Sequence, residues 1–157
     1  MHSSTSMLDK GRLIGVPVTG VKVSINDGSS HAVDSSDVAF QEAARGAWRQ
    51  VYERAKPIIL EPVMKVQIEG PVEFHGNMVA TMMQRRGVVS GVVEEQNYCQ
   101  IDAEVPLSEM FGYATVIRSA TQGKAEFTME FARYAPVPNN VQAEIIEEYQ
   151  KAKEEGK

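Results

Sequence analysis

The sequence is poor in features that several classes of protein require. Its one cysteine, Cys99, allows no disulfide within the chain and no zinc site built on cysteine. No apolar run approaches the roughly 18–20 residues of a membrane-spanning helix, and no secretory leader is recognisable, so we expect a cytoplasmic protein without a membrane partner. A formal charge of −5 argues against nonspecific electrostatic binding of nucleic acid over a broad surface. Any contact with nucleic acid is therefore expected to be local.

Catalytic motifs are also missing. The Gly123-Lys124 pair is followed by Ala125 where a phosphate-binding loop needs Ser or Thr, and Arg118 stands where that loop needs its first glycine. No serine lies in a GxSxG elbow. The three histidines share no metal-binding spacing: His2, His31 and His75. We therefore expect no catalytic residue, no metal site and no hydrolysis of nucleoside triphosphates by this chain.

Hydrophobic periodicity divides the remaining chain into two α+β units. Residues 21–25 alternate apolar and polar side chains, which predicts a half-buried strand. A capping segment at residues 34–37 precedes a helix of about 20 residues that Pro57 ends, and residues 58–60 begin another strand. The first unit is thus a partial β-α-β arrangement over residues 20–60. Two strands and one helix leave such a unit incompletely covered.

The second unit has the order β-α-β-β-α-β, which predicts a ferredoxin-like sandwich. Its strands are expected around residues 63–70, 88–94, 98–105 and 125–131, and its helices over residues 73–86 and 108–122. Phe127 and Phe131 are expected on one buried face of the last strand. The resulting division is a disordered or expression-derived tail at residues 1–10, units at 11–60 and 61–136, and a C-terminal helix or tail at 137–157.

Two local features have alternative explanations from their chemistry alone. His31 lies in a loop of small hydrogen-bonding residues, where a solvated histidine is the simpler interpretation and a functional one is open. Arg85 and Arg86 end a predicted helix, which the helix dipole explains, although they are also suited to contact phosphate.

Several longer segments together resemble one family. The segments GSSHAVDSSDVAF, ILEPVMKVQIEGP, RRGVVSG and VPLSEMFGYATVIRSATQGKAEFTMEF are similar to the C-terminal end of bacterial-type elongation factor G, over about residues 11–146. The resemblance implies a ribosome-dependent GTPase family that promotes GTP-dependent translocation of tRNA and mRNA. Residues 11–60 would be the second half of domain IV, with a left-handed crossover, and residues 61–136 domain V. GTP and Mg²⁺ would belong to a GTPase domain outside this chain.

The resemblance also implies sites and partners. A tip loop would enter the decoding region and contact rRNA and tRNA through Asp27, Gly28, Ser29, Ser30, His31, Ala32, Val33, Asp34, Ser35 and Ser36. The large-subunit stalk base and sarcin–ricin loop would be contacted by Arg118, Ser119, Thr121, Gln122 and Gly123, with Arg85 and Arg86 as further candidates. The remaining elongation factor domains would be partners as well.

Some positions depart from the family pattern. Ser30 stands where an aromatic residue is usual, Ala32 where aspartate is common, and residues 78–82 lack the usual acidic and asparagine pattern. Two alternatives therefore stay open: a divergent paralogue of the ribosomal protection type, and an independent ferredoxin-like module for binding or oligomerisation.

Overall fold

The computed structural model describes residues 7–156, and it divides the chain into two compact units. Unit 1 comprises the residues up to Ile59 together with those from Pro138 onward, and unit 2 is Leu60–Val137. The elements of unit 1 are helices α1 (Asp37–Arg54) and α4 (Asn139–Glu155). Unit 2 contains β1 (Leu60–Pro71), α2 (His75–Met83), β2 (Val88–Glu95), β3 (Tyr98–Pro106), α3 (Tyr113–Ala120) and β4 (Glu126–Pro136). None of the helices among these residues is long and apolar enough to cross a membrane.

The four strands of unit 2 form one antiparallel sheet in the order β2-β3-β1-β4. This confirms the predicted α+β class and the ferredoxin-like element order. Alternation along the strands places apolar side chains on one face, toward α2 and α3, and polar ones on the other. Ile68 on β1 and Ile101 on β3 are directly paired and fully buried. Met78 and Met82 on α2 are fully buried as well. The core of the unit therefore lies between the sheet and the two helices.

The predicted break between two strands near residue 61 is wrong. The first strand runs without interruption from Leu60 to Pro71, although Pro62 lies within it. Pairing with β3 begins only at Val63, so at Pro62 the strand has a partner on the β4 side alone. At this position the strand behaves locally as an edge strand, and edge strands tolerate proline.

The predicted helix start at Ser108-Glu109 is also wrong. Residues 107–110 form a separate 3₁₀ turn, Phe111 is extended, and Gly112 has φ of 74°. This left-handed backbone conformation interrupts a continuous helix and is adopted readily only by glycine. The helix therefore begins at Tyr113, whose ring is fully buried against the sheet.

The predicted shared burial of two phenylalanines on β4 is half correct. Phe127 packs against the core, with its ring 4.9 Å from that of Tyr113 in an edge-to-face arrangement. Phe131 lies on the same side of the strand but is 55% exposed, and Met129 between them is 45% exposed. The strand is at the sheet edge, Tyr113 of α3 contacts it near its beginning at Phe127, and its register with β1 shifts just beyond Phe131.

Unit 1 lacks the strand predicted over residues 21–25. Residues 21–25 form no strand in the structure, and Val23 and Ile25 are 62% and 89% exposed. An alternating segment becomes a strand only when a neighbour supplies hydrogen bonds, and no such neighbour is present among residues 7–59. The handedness of a crossover is defined only when the helix joins two strands of one sheet. Without a strand at residues 21–25, the left-handed crossover expected for this unit stays a prediction.

The helices of unit 1 agree with the sequence pattern. Ser36 caps α1, its Oγ accepting a hydrogen bond from the Ala39 N–H at 3.2 Å. The C-terminal helix α4 holds the chain before unit 2, because Gln142 Oε1 accepts from the Ile59 N–H at 3.1 Å. Of the predicted tail, residues 1–6 lie outside the described residues, and the Leu8 carbonyl accepts from the Val18 N–H at 2.7 Å.

Candidate functional site

The first candidate surface is the tip loop, residues 27–36, which precedes α1 in unit 1. Two hydrogen bonds close a five-residue turn inside it: the His31 N–H donates to Ser35 Oγ at 2.8 Å, and the Ser35 N–H donates to the His31 carbonyl at 3.1 Å. The next residue, Ser36, is the cap of α1. The turn therefore joins the helix directly, and the helix fixes the direction in which the loop leaves it.

All ten side chains of the tip loop are exposed. Val33, at the middle of the closed turn, is 94% exposed. The His31 imidazole makes no hydrogen bond with any residue that the structure describes. Asp27 uses one carboxylate oxygen to accept from the Gly28 N–H at 2.7 Å, and Asp34 adds a second negative charge. The backbone of the loop is therefore fixed by hydrogen bonds, whereas its side chains are exposed and carry little positive charge. Such a loop suits recognition of a binding partner by shape and hydrogen bonds.

The second candidate surface is the end of α3 and the turn after it, in unit 2. Gln122 and Gly123 both have positive φ, and the Gly123 N–H donates to the Arg118 carbonyl at 2.8 Å. This left-handed ending terminates the helix and satisfies one of its last carbonyls. Arg118, Ser119 and Gln122 are exposed around it, so they form a compact surface at one corner of the unit.

Thr121 belongs to the same turn, but its side chain is fully buried. Its hydroxyl donates to the Ile117 carbonyl at 2.7 Å and accepts from the Ala125 N–H at 3.2 Å. The hydroxyl therefore has no exposed surface with which to contact RNA directly. Thr121 instead fixes the turn that presents Arg118 and Gln122, which corrects the expectation that it makes a contact itself.

The two consecutive arginines after α2 also have protein partners rather than free guanidinium groups. Arg86 makes a two-pronged ion pair with Glu61, both distances being 2.9 Å, and a third contact of 2.9 Å with Glu109. Hydrogen bonding to Glu61 is the main cause that raises the pKa of Arg86 above its ordinary value. Arg85 donates to the carbonyls of Glu109 and Phe111.

Both arginines therefore tie the end of α2 to the turn before α3. Arg85 also lies over the Tyr113 ring, 5.2 Å from its centre. Sequence reasoning missed this role because the partners are 23 to 26 residues away along the chain. No local signal identifies them. The phosphate contact expected of Arg86 stays a prediction, and in this structure its guanidinium belongs to an ion-pair cluster with Glu61 and Glu109.

The ion-pair cluster leads to a stability prediction. Replacing Arg86 with Met removes the cation but keeps much of its stem, leaving Glu61, whose side chain is 14% exposed, without a counter-charge. Breaking a fully buried pair costs about 3–5 kcal/mol, and this pair is partly solvated, so we expect a loss of about 2–3 kcal/mol in the free energy of unfolding. Urea unfolding measures it. A loss below about 0.5 kcal/mol would show that the pair is no stronger than an ordinary surface contact.

Known proteins match almost the whole length of the chain. Residues 58–145 match a family model described as elongation factor G C-terminus, and residues 3–56 match one described as elongation factor G, domain IV. Elongation factor G 2 of Anaeromyxobacter dehalogenans is 59% identical over 152 residues, which are 97% of this chain and 22% of that protein. Elongation factor G 1 of Treponema pallidum is 57% identical over 141 residues, 90% of this chain and 20% of that protein.

A solved structure is also similar. A crystal structure of a protein from Thermus thermophilus superimposes with a TM-score of 0.82 at 36% identity, covering 95% of this chain and 23% of that chain. The chain therefore spans about a fifth of the length of the curated relatives that it matches.

Proposed function

This chain belongs to the elongation factor G family of translation elongation factors, and on that premise we propose that it is a ribosome-contacting region of such a factor. In this role the tip loop approaches rRNA and tRNA in the decoding region during translocation. The surface at the end of α3 contacts large-subunit RNA near the stalk base and the sarcin–ricin loop. The other domains of the factor, and the ribosome itself, are the partners of this region, and its place is the cytoplasm.

The state of the tip loop is the observation that carries this proposal. Its side chains are all exposed, yet its backbone is held by the reciprocal bonds between His31 and Ser35 and by the cap at Ser36. An exposed loop with a fixed backbone loses little conformational entropy when it binds. Such a loop suits a contact that must be made at a defined point and then released.

We further propose that the chain has no nucleotide chemistry of its own. GTP and Mg²⁺ would be handled by a separate GTPase domain of the family, and this chain would act through contacts alone. The sequence supports this, since neither of its two Gly-Lys pairs, Gly123-Lys124 and Gly156-Lys157, has the first glycine of a phosphate-binding loop five residues earlier, where Arg118 and Lys151 stand.

Binding to ribosomes tests the proposal with a matched pair of variants. Ala32 lies in the tip loop and Ala43 lies on α1, and both are exposed. Ala32→Glu places a third carboxylate beside phosphate, so we expect it to weaken co-sedimentation of the chain with ribosomes roughly five- to tenfold, equivalent to about 1–1.4 kcal/mol. Ala43→Glu makes the same chemical change outside the loop and should alter binding less than about twofold.

Different outcomes separate the alternatives. A chain that fails to sediment with ribosomes but self-associates in analytical ultracentrifugation would support an independent oligomerisation module instead. Equal effects of Ala32→Glu and Ala43→Glu on ribosome binding would show that the tip loop is not part of the interface. Saturable GTP turnover by the purified chain, with or without ribosomes, would contradict the proposed lack of nucleotide chemistry.

A further inference from the structure

The sheet of unit 2 has two edge strands with different side chains. In the described part of the chain β2 is paired only with β3, and β4 only with β1. One side of each strand therefore keeps free N–H and C=O groups. Three charged side chains are spread along β4, and charges on an edge strand oppose pairing with a further strand. β2 has no charge over residues 88–93, and its acids, Glu94 and Glu95, lie at its end. The β2 edge is the one open to another strand.

Four valines are placed symmetrically along β2, around a central Ser90-Gly91: Val88, Val89, Val92 and Val93. A β-bulge between Val89 and Gly91 shifts the register with β3 by one residue. As a result Val88 and Val93 both lie on the face of the sheet away from the helices, which we call the outer face. Val89 and Val92 both lie on the helix face. The strand thus has the same apolar pattern in either direction.

An antiparallel second copy of β2 matches this pattern in one register. When Val88 lies opposite Val93 of the second copy, Val89 lies opposite Val92 of that copy, and each pair shares one face of the joint sheet. The free N–H and C=O groups match as well, because their direction alternates with the side chains. A shift by one residue would place an outer valine opposite a valine of the helix face.

The charges of β2 favour the antiparallel arrangement over a parallel one. In the antiparallel register Glu94 and Glu95 of the two copies lie at opposite ends of the paired segment. A parallel pair in register would place them side by side, and like charges opposite each other destabilise a sheet. The acids therefore select the direction of pairing.

Helix α2 adds apolar surface beside the same edge. His75, its first residue, reaches Glu94 of β2 at 3.5 Å, which shows which flank of α2 faces β2. Val79 and Met83 follow His75 at intervals of four residues and so share that flank. Met83 is exposed. A two-fold axis perpendicular to the sheet keeps the helices of both copies on one side, so it brings the Met83 side chains toward the interface.

We infer that the β2 edge binds a second copy of this chain. The two β2 strands pair antiparallel, with Val88 opposite Val93 and Val89 opposite Val92, and join two four-stranded sheets into one. The interface consists of one strand and one helix flank from each copy, which is small. We therefore expect weak dimerisation, with a dissociation constant on the order of 100 µM.

Two valines of nearly equal exposure provide a matched test. Val88 on the β2 edge is 68% exposed, and Val38 on α1 is 69% exposed. Sedimentation equilibrium of the full chain, from about 10 to 500 µM, measures the monomer–dimer equilibrium. Lysine on an edge opposes strand pairing, so Val88→Lys should raise the dissociation constant at least about tenfold, and Val38→Lys should change it less than about twofold. Equal effects, or weakening by Val38→Lys alone, would overturn the inference.

Disulfide cross-linking tests the register and does not depend on the lysine variant folding. Chains carrying Val88→Cys and Val93→Cys are prepared separately, mixed and oxidised. Residues opposite each other have Cβ atoms about 4.5–5.5 Å apart, so the mixture should form linked dimers. Each variant alone should not, because two identical positions are five residues apart along the strands, or roughly 16 Å. Cys99 does not react, because it is buried and burial raises the pKa of its thiol.

A mixture of the Val88→Cys and Val38→Cys chains gives the background of random collisions. Cross-linking of the Val88→Cys and Val93→Cys mixture at this background level would overturn the inferred register. Efficient cross-linking of the Val88→Cys chain to itself would show a parallel pair and would also overturn it.

The inference does not depend on the proposed function, and the two fail in different experiments. A chain that sediments with ribosomes but stays monomeric up to about 500 µM contradicts the β2 pairing alone. A chain that dimerises and forms the cross-link between positions 88 and 93, but does not sediment with ribosomes, contradicts the proposed function alone.

Discussion

Replacing Phe127 with Ala should lower the free energy of unfolding by about 3–5 kcal/mol, the usual cost of removing a core aromatic ring. Phe127 is paired with the fully buried Ile68 across β1 and β4, and its ring meets that of Tyr113 edge to face. Truncation to alanine removes this ring contact and leaves a cavity between the sheet and α3. Urea unfolding monitored by circular dichroism measures the loss.

Phe131 provides the matched control for this prediction. It has the same chemistry, lies on the same strand and faces the same side, but it is 55% exposed and its ring packs against the exposed Tyr134. Phe131→Ala should therefore cost less than about 1 kcal/mol. Similar losses for the two variants would mean that the edge strand is covered along its whole length, and a loss below about 1 kcal/mol for Phe127→Ala would place the core elsewhere.

Replacing His31 with Ala should slow translocation by roughly 3- to 100-fold when the change is made at the matching position of a full-length elongation factor G. The imidazole is free to donate one hydrogen bond when neutral and two when protonated. Losing such a bond costs about 0.5–1.5 kcal/mol, or up to about 3 if it is charge-assisted, and each 1.36 kcal/mol of barrier is tenfold in rate. GTP hydrolysis should hardly change, because its chemistry belongs to another domain.

Single-round kinetics separates the possible results for His31. Translocation and GTP hydrolysis are measured in the same variant, with Ala43→Glu on α1 as an exposed control outside the tip loop. Unchanged translocation would make His31 a solvated loop residue without a functional contact. Equal slowing of translocation and hydrolysis would mean that the substitution impairs binding or folding in general rather than a step of tRNA movement.

The sequence by itself determined the order and type of most elements. Alternating apolar residues predicted the strands of unit 2, and three-to-four spacing predicted α1 and α4, because both periodicities follow from local backbone geometry. The capping role of Ser36 and the left-handed ending at Gly123 were also local, since each depends on residues within one turn. The tip loop was recognised as exposed from its small polar residues in the same way.

Tertiary structure alone decided which side chains are free to act. Arg86 and Thr121 have surface-like chemistry in the sequence, yet one is held by Glu61 and the other is buried beneath its own turn. The alternating segment at residues 21–25 forms no strand, because a strand depends on a partner and periodicity does not show whether one is available. Burial, ion pairing and strand pairing all depend on residues far apart in the chain, and only the folded arrangement brings those residues together.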